Sequence, residues 1–550
     1  MATKLGRKES PAGHGPDDFE VMGRAAQDQG DFGNDVGVAD CACVNQFGAN
    51  NSKFYHGAVV RSTKTSGWFV YLEWGRIFSG KSWDGRFNGQ DFQFVQCDDE
   101  ADARTFFAKQ MNSKNTKRLE RKILGGVEVW GGRKGKDGYI VQSLATRERG
   151  LPDCYKIKDA SGVQAAPKKA APKATAKKAK APSRSFHPNV IQFATDMVGG
   201  VRTYTKAMAA AAGVTPTMAA IKQVRDGLIP AALQRIKTVG NSVTRQCKDT
   251  DLVDISKMVS ALVPRPIPRT GQSEEEAILN GSTVTLLQQD LDAFEASLTQ
   301  EDFSVDTTAH ATVDPDRMLN AALQHIDLNT PQGRWIANAF TRMTNNRHGY
   351  IRSGLRIKNI FAVDRPDRDA GFNAAVNRVG AKRQGRFSLK ANLQSPREDL
   401  SPTEAKAFAQ ANVAMMIHGT RPVNIAPILG TNLRLPKSLP GAQITGANFG
   451  HGVYFATDWK KSYGYTGRGY WGHSGGDVKN RGCMMFLCDT IMGQAYRAPT
   501  TGSWNTPPQG NDSVFGVGGD RGHRLENDEH VIFDPNYQRI RYIVEFDWLN

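Results

Sequence analysis

One stretch, Met415 to Tyr465, constrains this chain more than any other. It is entered through Val413-Ala414-Met415-Met416-Ile417, an apolar run that reads as a short buried strand and ends on His418-Gly419-Thr420-Arg421. A glycine- and proline-rich loop then delivers a second strand, Gly452-Val453-Tyr454-Phe455-Ala456. A helix-like segment, Asp458 to Ser462, follows and leads into Tyr463 and Tyr465. A strand-end His-Gly, a strand tyrosine and a downstream serine and tyrosine are groups that a single cleft can collect. The glycines of Gly446-Ala447-Asn448-Phe449-Gly450-His451-Gly452 do not make a Rossmann phosphate loop, because their spacing is wrong and they lead into a strand, not a helix.

Four motifs occur in order: His418-Gly419-Thr420-Arg421, then Gly450-His451-Gly452-Val453-Tyr454-Phe455-Ala456, then Lys461-Ser462-Tyr463-Gly464-Tyr465, then Glu529 within Asn527-Asp528-Glu529-His530-Val531-Ile532. Together they resemble the catalytic core of the poly(ADP-ribose) polymerases. The resemblance implies NAD+ as substrate, no metal, and an oxocarbenium-like transition state when the nicotinamide–ribose bond breaks. It assigns catalysis to His418, Tyr454 and Glu529. The Gly419 backbone and the Ser462 hydroxyl would hold the carboxamide, Tyr454 and Tyr465 would sandwich the ring, and His418 would donate to the adenosine ribose. Glu529 would bind the reacting ribose and orient the acceptor. Thr420 and Arg421 complete the strand end, Arg434 falls near the adenine or the pyrophosphate, and Lys461 meets the pyrophosphate or an acceptor. Two departures stand out. Asn345-Asn346-Arg347-His348-Gly349 replaces the family's Asn-Thr-His-Ala, and only Gly519 to Asp528 precedes Glu529, where the family has a longer acceptor-side loop.

At 550 residues the chain is too long for one core. Residues 1–48, rich in Gly, Asp and Ala without periodicity, read as a disordered arm. Cys41 and Cys43 form an isolated pair with no second pair to complete a zinc site. Over 49–160, the aromatic alternation of Trp68 to Ile77, the strand Phe92-Gln93-Phe94-Val95 and a helix carrying Phe106 and Phe107 surround Trp74-Gly75-Arg76. This region resembles the WGR domain, which implies DNA contact through Trp74, Arg76, Lys114, Asn115 and Lys117. Trp74 as a plain core residue is the alternative.

The Ala/Pro/Lys tract within 161–185 is a solvated basic linker that suits a phosphate backbone. Helical periodicity fills 186–305, broken at Pro264, Pro266 and Pro268, and its position resembles the family's regulatory helical domain. Residues 306–550 form the transferase half. The fold class is therefore a multidomain α+β chain: a WGR sheet-and-helix module, an all-α regulatory bundle, and a mixed α/β ADP-ribosyltransferase fold on a split antiparallel sheet.

The net charge of +16 invites a polyanionic partner, although part of the excess sits in the linker. Seven irregularly spaced cysteines suit a reducing compartment, and the sequence contains no apolar run near the roughly 20 residues of a membrane span. The N-terminus has no apolar segment of a secretory signal. The expectation is a polymerase activated by DNA breaks that modifies proteins, itself included, with an accessory protein that completes the active site left open. Its compartment is nuclear in a eukaryote, cytoplasmic and DNA-associated otherwise, and not secreted. A mono-transferase and a silent DNA-end-binding scaffold are the alternatives.

Overall fold

The computed structural model describes residues 2–15, 18–44, 53–76, 91–115, 118–133, 138–142, 185–240, 242–265, 277–299, 314–344, 354–382, 397–436, 448–466, 477–479, 481–519 and 525–548. The chain divides into two compact units, Met1–Ala179 with Thr205–Val284, and Lys180–Tyr204 with Thr285–Asn550. The linker over 161–184 and the Asn345–Gly349 segment lie outside the described residues.

Among the described residues the first unit has ten strands: β1 (Thr3–Lys4), β2 (Phe19–Val21), β3 (Arg24–Ala25), β4 (Val36–Cys43), β5 (Lys53–Ser62), β6 (Trp68–Arg76), β7 (Asp91–Cys97), β8 (Leu119–Leu124), β9 (Val127–Gly132) and β10 (Tyr139–Val141). Eight of them make one sheet in the order β1-β7-β6-β5-β4-β10, with β2 on β5 and β3 on β4. The alternation of Trp68 to Arg76 sends Val70 and Leu72 to a core shared with Phe107 and Met111 of the Glu100–Asn115 helix, and Phe69 and Tyr71 to a second, aromatic core with Phe19 and Phe94.

The expected disordered arm over 1–48 is corrected here. It supplies β1 to β4, and Cys41 and Cys43 lie fully buried in β4. Glycine and aspartate around β4 mask its apolar pattern, and parts of the arm pair with distant sequence: Cys41 of β4 with Val141 of β10, and Thr3 and Lys4 of β1 with Gln96 and Val95 of β7. The β8–β9 hairpin docks on the Thr250–Leu262 helix, where Lys122 Nζ meets Asp254 Oδ2 at 2.6 Å.

The helical stretch does not form a unit of its own. Residues 205–284 group with the strands above, while 180–204 and 285–299 group with the C-terminal half. The expected stops hold locally: the Thr250–Leu262 helix starts on an Asp249 cap and ends just before Pro264.

The second unit carries β11 (Ala322–Ile326), β12 (Leu355–Asp364), β13 (Val413–Gly419), β14 (Val453–Phe455), β15 (Cys483–Ile491), β16 (Ala495–Arg497), β17 (Ser513–Gly516), β18 (Glu529–Ile532) and β19 (Gln538–Trp548). They form two sheets, β11-β12-β19-β15-β13 and β14-β18-β17-β16. All pairs are antiparallel except β16 with β17. The sheets meet where Ile417 and Ala456 exchange backbone hydrogen bonds of 2.8 and 2.9 Å. β15 is buried at all nine positions, as a central strand covered on both faces must be, and its Phe486 joins the main core with Phe193, Phe361 and Phe372.

Candidate active site

The bridge between Ile417 and Ala456 lays the end of β13 beside β14. His418 is thereby brought to the Tyr454 backbone, with Nδ1 2.9 Å from the carbonyl oxygen. A carbonyl only accepts, so Nδ1 carries the proton. Burial pushes the His418 pKa below the usual 6.5, and the hydrogen bond to Tyr454 opposes this only in part, so the imidazole is neutral at neutral pH. Nε2 is then an acceptor. The expected donation from His418 to a ribose hydroxyl would need a proton on Nε2; with the proton on Nδ1 that nitrogen can only accept.

Because the folded pKa is depressed, the neutral form stabilises the site above pH 6.5, and that contribution is lost as pH falls through the folded value. The acid limb of NAD+ turnover should therefore lie below 6.5, the ordinary histidine value, and His418→Gln should abolish that limb. A pH–rate profile of the two proteins checks this.

Tyr454 is locked by its own approach loop. Its hydroxyl donates to the Gly450 carbonyl at 2.7 Å and accepts from the Phe449 N–H at 2.9 Å. Burial raises its pKa; the Phe449 N–H opposes this, and Glu529 and Tyr465 add to the rise. Gly450 sits at φ +88°, and a Cβ there would lie 2.0 Å from the Trp504 carbonyl oxygen, so only glycine fits this turn.

Asp458 caps the Trp459–Tyr463 helix by accepting from the Lys460 N–H at 2.8 Å, and this short helix presents Lys461 and Ser462. Ser462 is buried and packs its backbone against Gly419: a Cβ on Gly419 would meet the Ser462 carbonyl oxygen at 2.0 Å. The glycine is thus required by the contact between strand end and helix, whatever ligand its backbone also serves. Tyr465, bonded through its N–H to the Ser462 carbonyl, is 40% exposed.

Glu529 opens β18, opposite Gly516 of β17. Its Oε1 receives Lys461 Nζ at 2.8 Å, and Lys461 also reaches the Asp528 carbonyl at 3.3 Å. Glu529 Oε2 is buried and has no hydrogen-bond partner among the described residues. Lys461, expected to meet a pyrophosphate or an acceptor, is here the group that holds the carboxylate.

The remaining expected ligands are engaged elsewhere. Thr420 Oγ1 accepts from Asn424 Nδ2 at 3.2 Å. Arg421 is buried, with Nη2 on Asp290 Oδ1 at 2.7 Å and Nη1 on the Tyr204 hydroxyl at 3.3 Å. Burial opposes its charge, but Asp290 and Tyr204 outweigh that and raise its pKa. Only its Nε has no partner among the described residues. Arg434 bonds Asp292 at 3.0 Å and Glu295 at 3.4 Å, on the same Gly281–Thr299 helix as Asp290. Nothing in the local sequence around Arg421 or Arg434 points to these acids, which lie more than a hundred residues earlier.

In the first unit, Trp74 is half-buried and stacks on Tyr55, ring centroids 6.1 Å apart. Lys114 Nζ lies 4.8 Å from the Tyr55 ring centroid, and the Arg7 guanidinium 5.8 Å from that of Trp74. Burial lowers the Lys114 pKa, and the neighbouring charges of Arg118 and Lys4 lower it further. Lys4 and Arg7 are missed by a sequence reading that treats their segment as a disordered arm; the signal that could have found them is the cluster of Lys4, Arg7 and Lys8. The side chains of Arg76 and Asn115, and Lys117 as a whole, lie outside the described residues.

Residues 334–523 match the poly(ADP-ribose) polymerase catalytic domain, so the second unit carries a domain of the ADP-ribosyltransferase class. Among curated proteins, the chain is similar to human protein mono-ADP-ribosyltransferase PARP4 (31% identical over 141 residues, 24% of this chain and 8% of that protein). It is also similar to human poly [ADP-ribose] polymerase 2 (28% over 179 residues, 26% and 29%) and to rice poly [ADP-ribose] polymerase 1 (34% over 109 residues, 20% and 10%). The matches span less than a third of each of these relatives.

Proposed function

We propose that this chain transfers ADP-ribose from NAD+ to protein acceptors, itself included, with release of nicotinamide, and that it extends the product into chains when it engages DNA ends. The observation that carries the proposal is Glu529: a carboxylate fixed through one oxygen by Lys461, with the other oxygen buried and unpartnered among the described residues. An oxygen of that kind suits a ribose hydroxyl and the positive charge that grows on the sugar as the C1′–nicotinamide bond breaks. Nicotinamide leaves with the C1′–N electron pair, and the acceptor oxygen or nitrogen then bonds to C1′ and releases its proton to solvent water. Neutral His418 accepts from the other ribose, while Tyr454 and Tyr465 flank the nicotinamide.

Incubation with labelled NAD+, with and without a short blunt or nicked duplex, tests this on a denaturing gel. A high-mass smear that depends on DNA supports chain synthesis, and absence of label under every condition rejects the proposal. A single sharp band would favour mono-transfer. That second reading draws on the similarity to PARP4, which is named a mono-ADP-ribosyltransferase, and on the few residues between Gly519 and Glu529.

The DNA part of the proposal is supported by two cations set against stacked aromatics, Lys114 on Tyr55 and Arg7 on Trp74. Arg7→Gln with Lys114→Gln is expected to weaken duplex binding. The dependence of log K on log salt should flatten by about 1.8, at about 0.9 for each phosphate that the two side chains no longer neutralise. A fluorescence anisotropy titration over a salt series measures the slope.

A further inference from the structure

Tyr454 is held by a turn, and that turn is held in its own place by a segment that no sequence motif singles out. Gly502 donates its N–H to the Asn448 carbonyl at 2.9 Å, and the Trp504 carbonyl accepts from the His451 N–H at 2.8 Å. These two bonds straddle Phe449 and Gly450, the residues whose N–H and carbonyl fix the Tyr454 hydroxyl. Between them the Ser503 hydroxyl lies 3.3 Å from His451 Nε2, so the segment is tied to the turn at three successive residues.

The Trp504 side chain completes the clamp. Its half-buried indole lies parallel to the Phe449 ring, with 5° between the planes and 6.2 Å between the centroids, and meets Tyr496 of β16 edge-on at 5.8 Å. Gly502 leaves the indole its seat, since a Cβ there would come within 2.6 Å of the ring. Phe449 is fully buried and packs over Gly516, where a Cβ would collide with its ring. Gly516 is the β17 residue opposite Glu529. Phe449 therefore joins the indole on one side to the strand pair that carries Glu529 on the other.

We infer that Trp504 is a positioning residue for NAD+: by seating Phe449 it holds the turn that orients the Tyr454 ring, and it acts on the substrate through that ring. The inference rests on the proposed place of Tyr454 at the nicotinamide. Both bonds of the Tyr454 hydroxyl go to this one turn, so the ring keeps a single position only while the turn keeps its own. A ring fixed before the substrate arrives does not have to be ordered when it binds, and affinity gains by that difference.

Benzamide, which has the ring and carboxamide of nicotinamide but no glycosidic bond to break, reports this position apart from turnover. Its Kd, the KM and kcat for NAD+, and the midpoint of urea unfolding are measured on the full chain. Trp504→Ala, which removes the indole, and Gly502→Ala, which displaces it, should each weaken benzamide binding and raise KM by about tenfold, with kcat little changed. Trp504→Phe, which keeps a ring against Phe449, should restore both values. Tyr454→Phe cuts the link at the hydroxyl, so adding Trp504→Ala to it should shift benzamide binding by less than about twofold. Should Trp504→Ala fail to fold, Gly502→Ala carries the same comparison. A lower unfolding midpoint with benzamide binding and KM unchanged makes Trp504 a packing residue only and overturns the inference. A loss that persists in full in the Tyr454→Phe background overturns it as well. A wild type that neither binds benzamide nor consumes NAD+ overturns the proposed function, and this inference with it.

Discussion

Glu529→Gln is expected to lower NAD+ turnover by about 10²–10³-fold, the effect typical of removing one electrostatic contact to a transition state. The loss should fall on kcat, not on KM for NAD+, because the charge matters most when positive charge develops on the ribose. The glutamine retains an oxygen that accepts from Lys461, but it leaves a lysine whose side chain is only 15% exposed beside a neutral amide. Stability should therefore fall by about 1–3 kcal/mol. The double variant Glu529→Gln with Lys461→Met separates the two effects. With both charges gone, the pair is replaced by neutral groups and stability should recover, since exchanging a buried ion pair for apolar packing is often neutral or better. Turnover should not recover. If it does, Glu529 acts only by neutralising the Lys461 charge and has no role on the substrate. Urea unfolding alongside initial rates on the three proteins decides between these roles.

Most of the site is legible in the sequence because its residues lie within short elements of strong local pattern. Val413 to Ile417 has no polar interruption and becomes β13, and a capping aspartate before Trp459-Lys460-Lys461-Ser462 is enough to mark a five-residue helix. Pairing over distance is not legible. β4 carries a buried face, but the strands that bury it, β5 and β10, are contributed by separate parts of the chain. The parallel pairing of β16 with β17 rests on three residues per strand, too few to carry a periodic signal. The helical stretch shows the same limit. Its periodicity marks the helices, but what they pack against follows from contacts such as Phe193 on Phe361, which no window along the sequence contains. Roles shift for the same reason. Lys461 and Glu529 each stand out within a motif, yet the ion pair between them joins residues far apart in the chain and redefines the lysine as an anchor for the acid.

Arg421 gives the largest expected loss of stability. Its side chain is 6% exposed and that of Asp290 15%, so Arg421→Ala strands a carboxylate in a site with little water. Breaking a buried pair from one side costs about 3–5 kcal/mol, and the Tyr204 hydroxyl, which keeps its 2.7 Å donation to Asp290, cannot replace the lost positive charge. Asp290→Asn alone should cost less, because the amide still accepts from Nη2 while the arginine keeps Tyr204. The double variant should be less destabilised than the sum of the single changes, with a coupling of about 1–3 kcal/mol. The resemblance to the polymerases instead makes Arg421 part of the NAD+ site, and its Nε, the one nitrogen without a partner among the described residues, is the donor such a role would use. The two roles predict different observables. A ligand role raises KM for NAD+ in Arg421→Ala by about tenfold or more, the loss of one charge-assisted hydrogen bond, and Asp290→Asn leaves KM unchanged. A role confined to the pair with Asp290 lowers the midpoint of urea unfolding in both variants and moves KM in neither. Because Asp290 sits on the Gly281–Thr299 helix, whose Asp292 and Glu295 hold Arg434, the second outcome makes Arg421 an anchor for that helix, together with Arg434 beyond the Ile425–Thr431 helix.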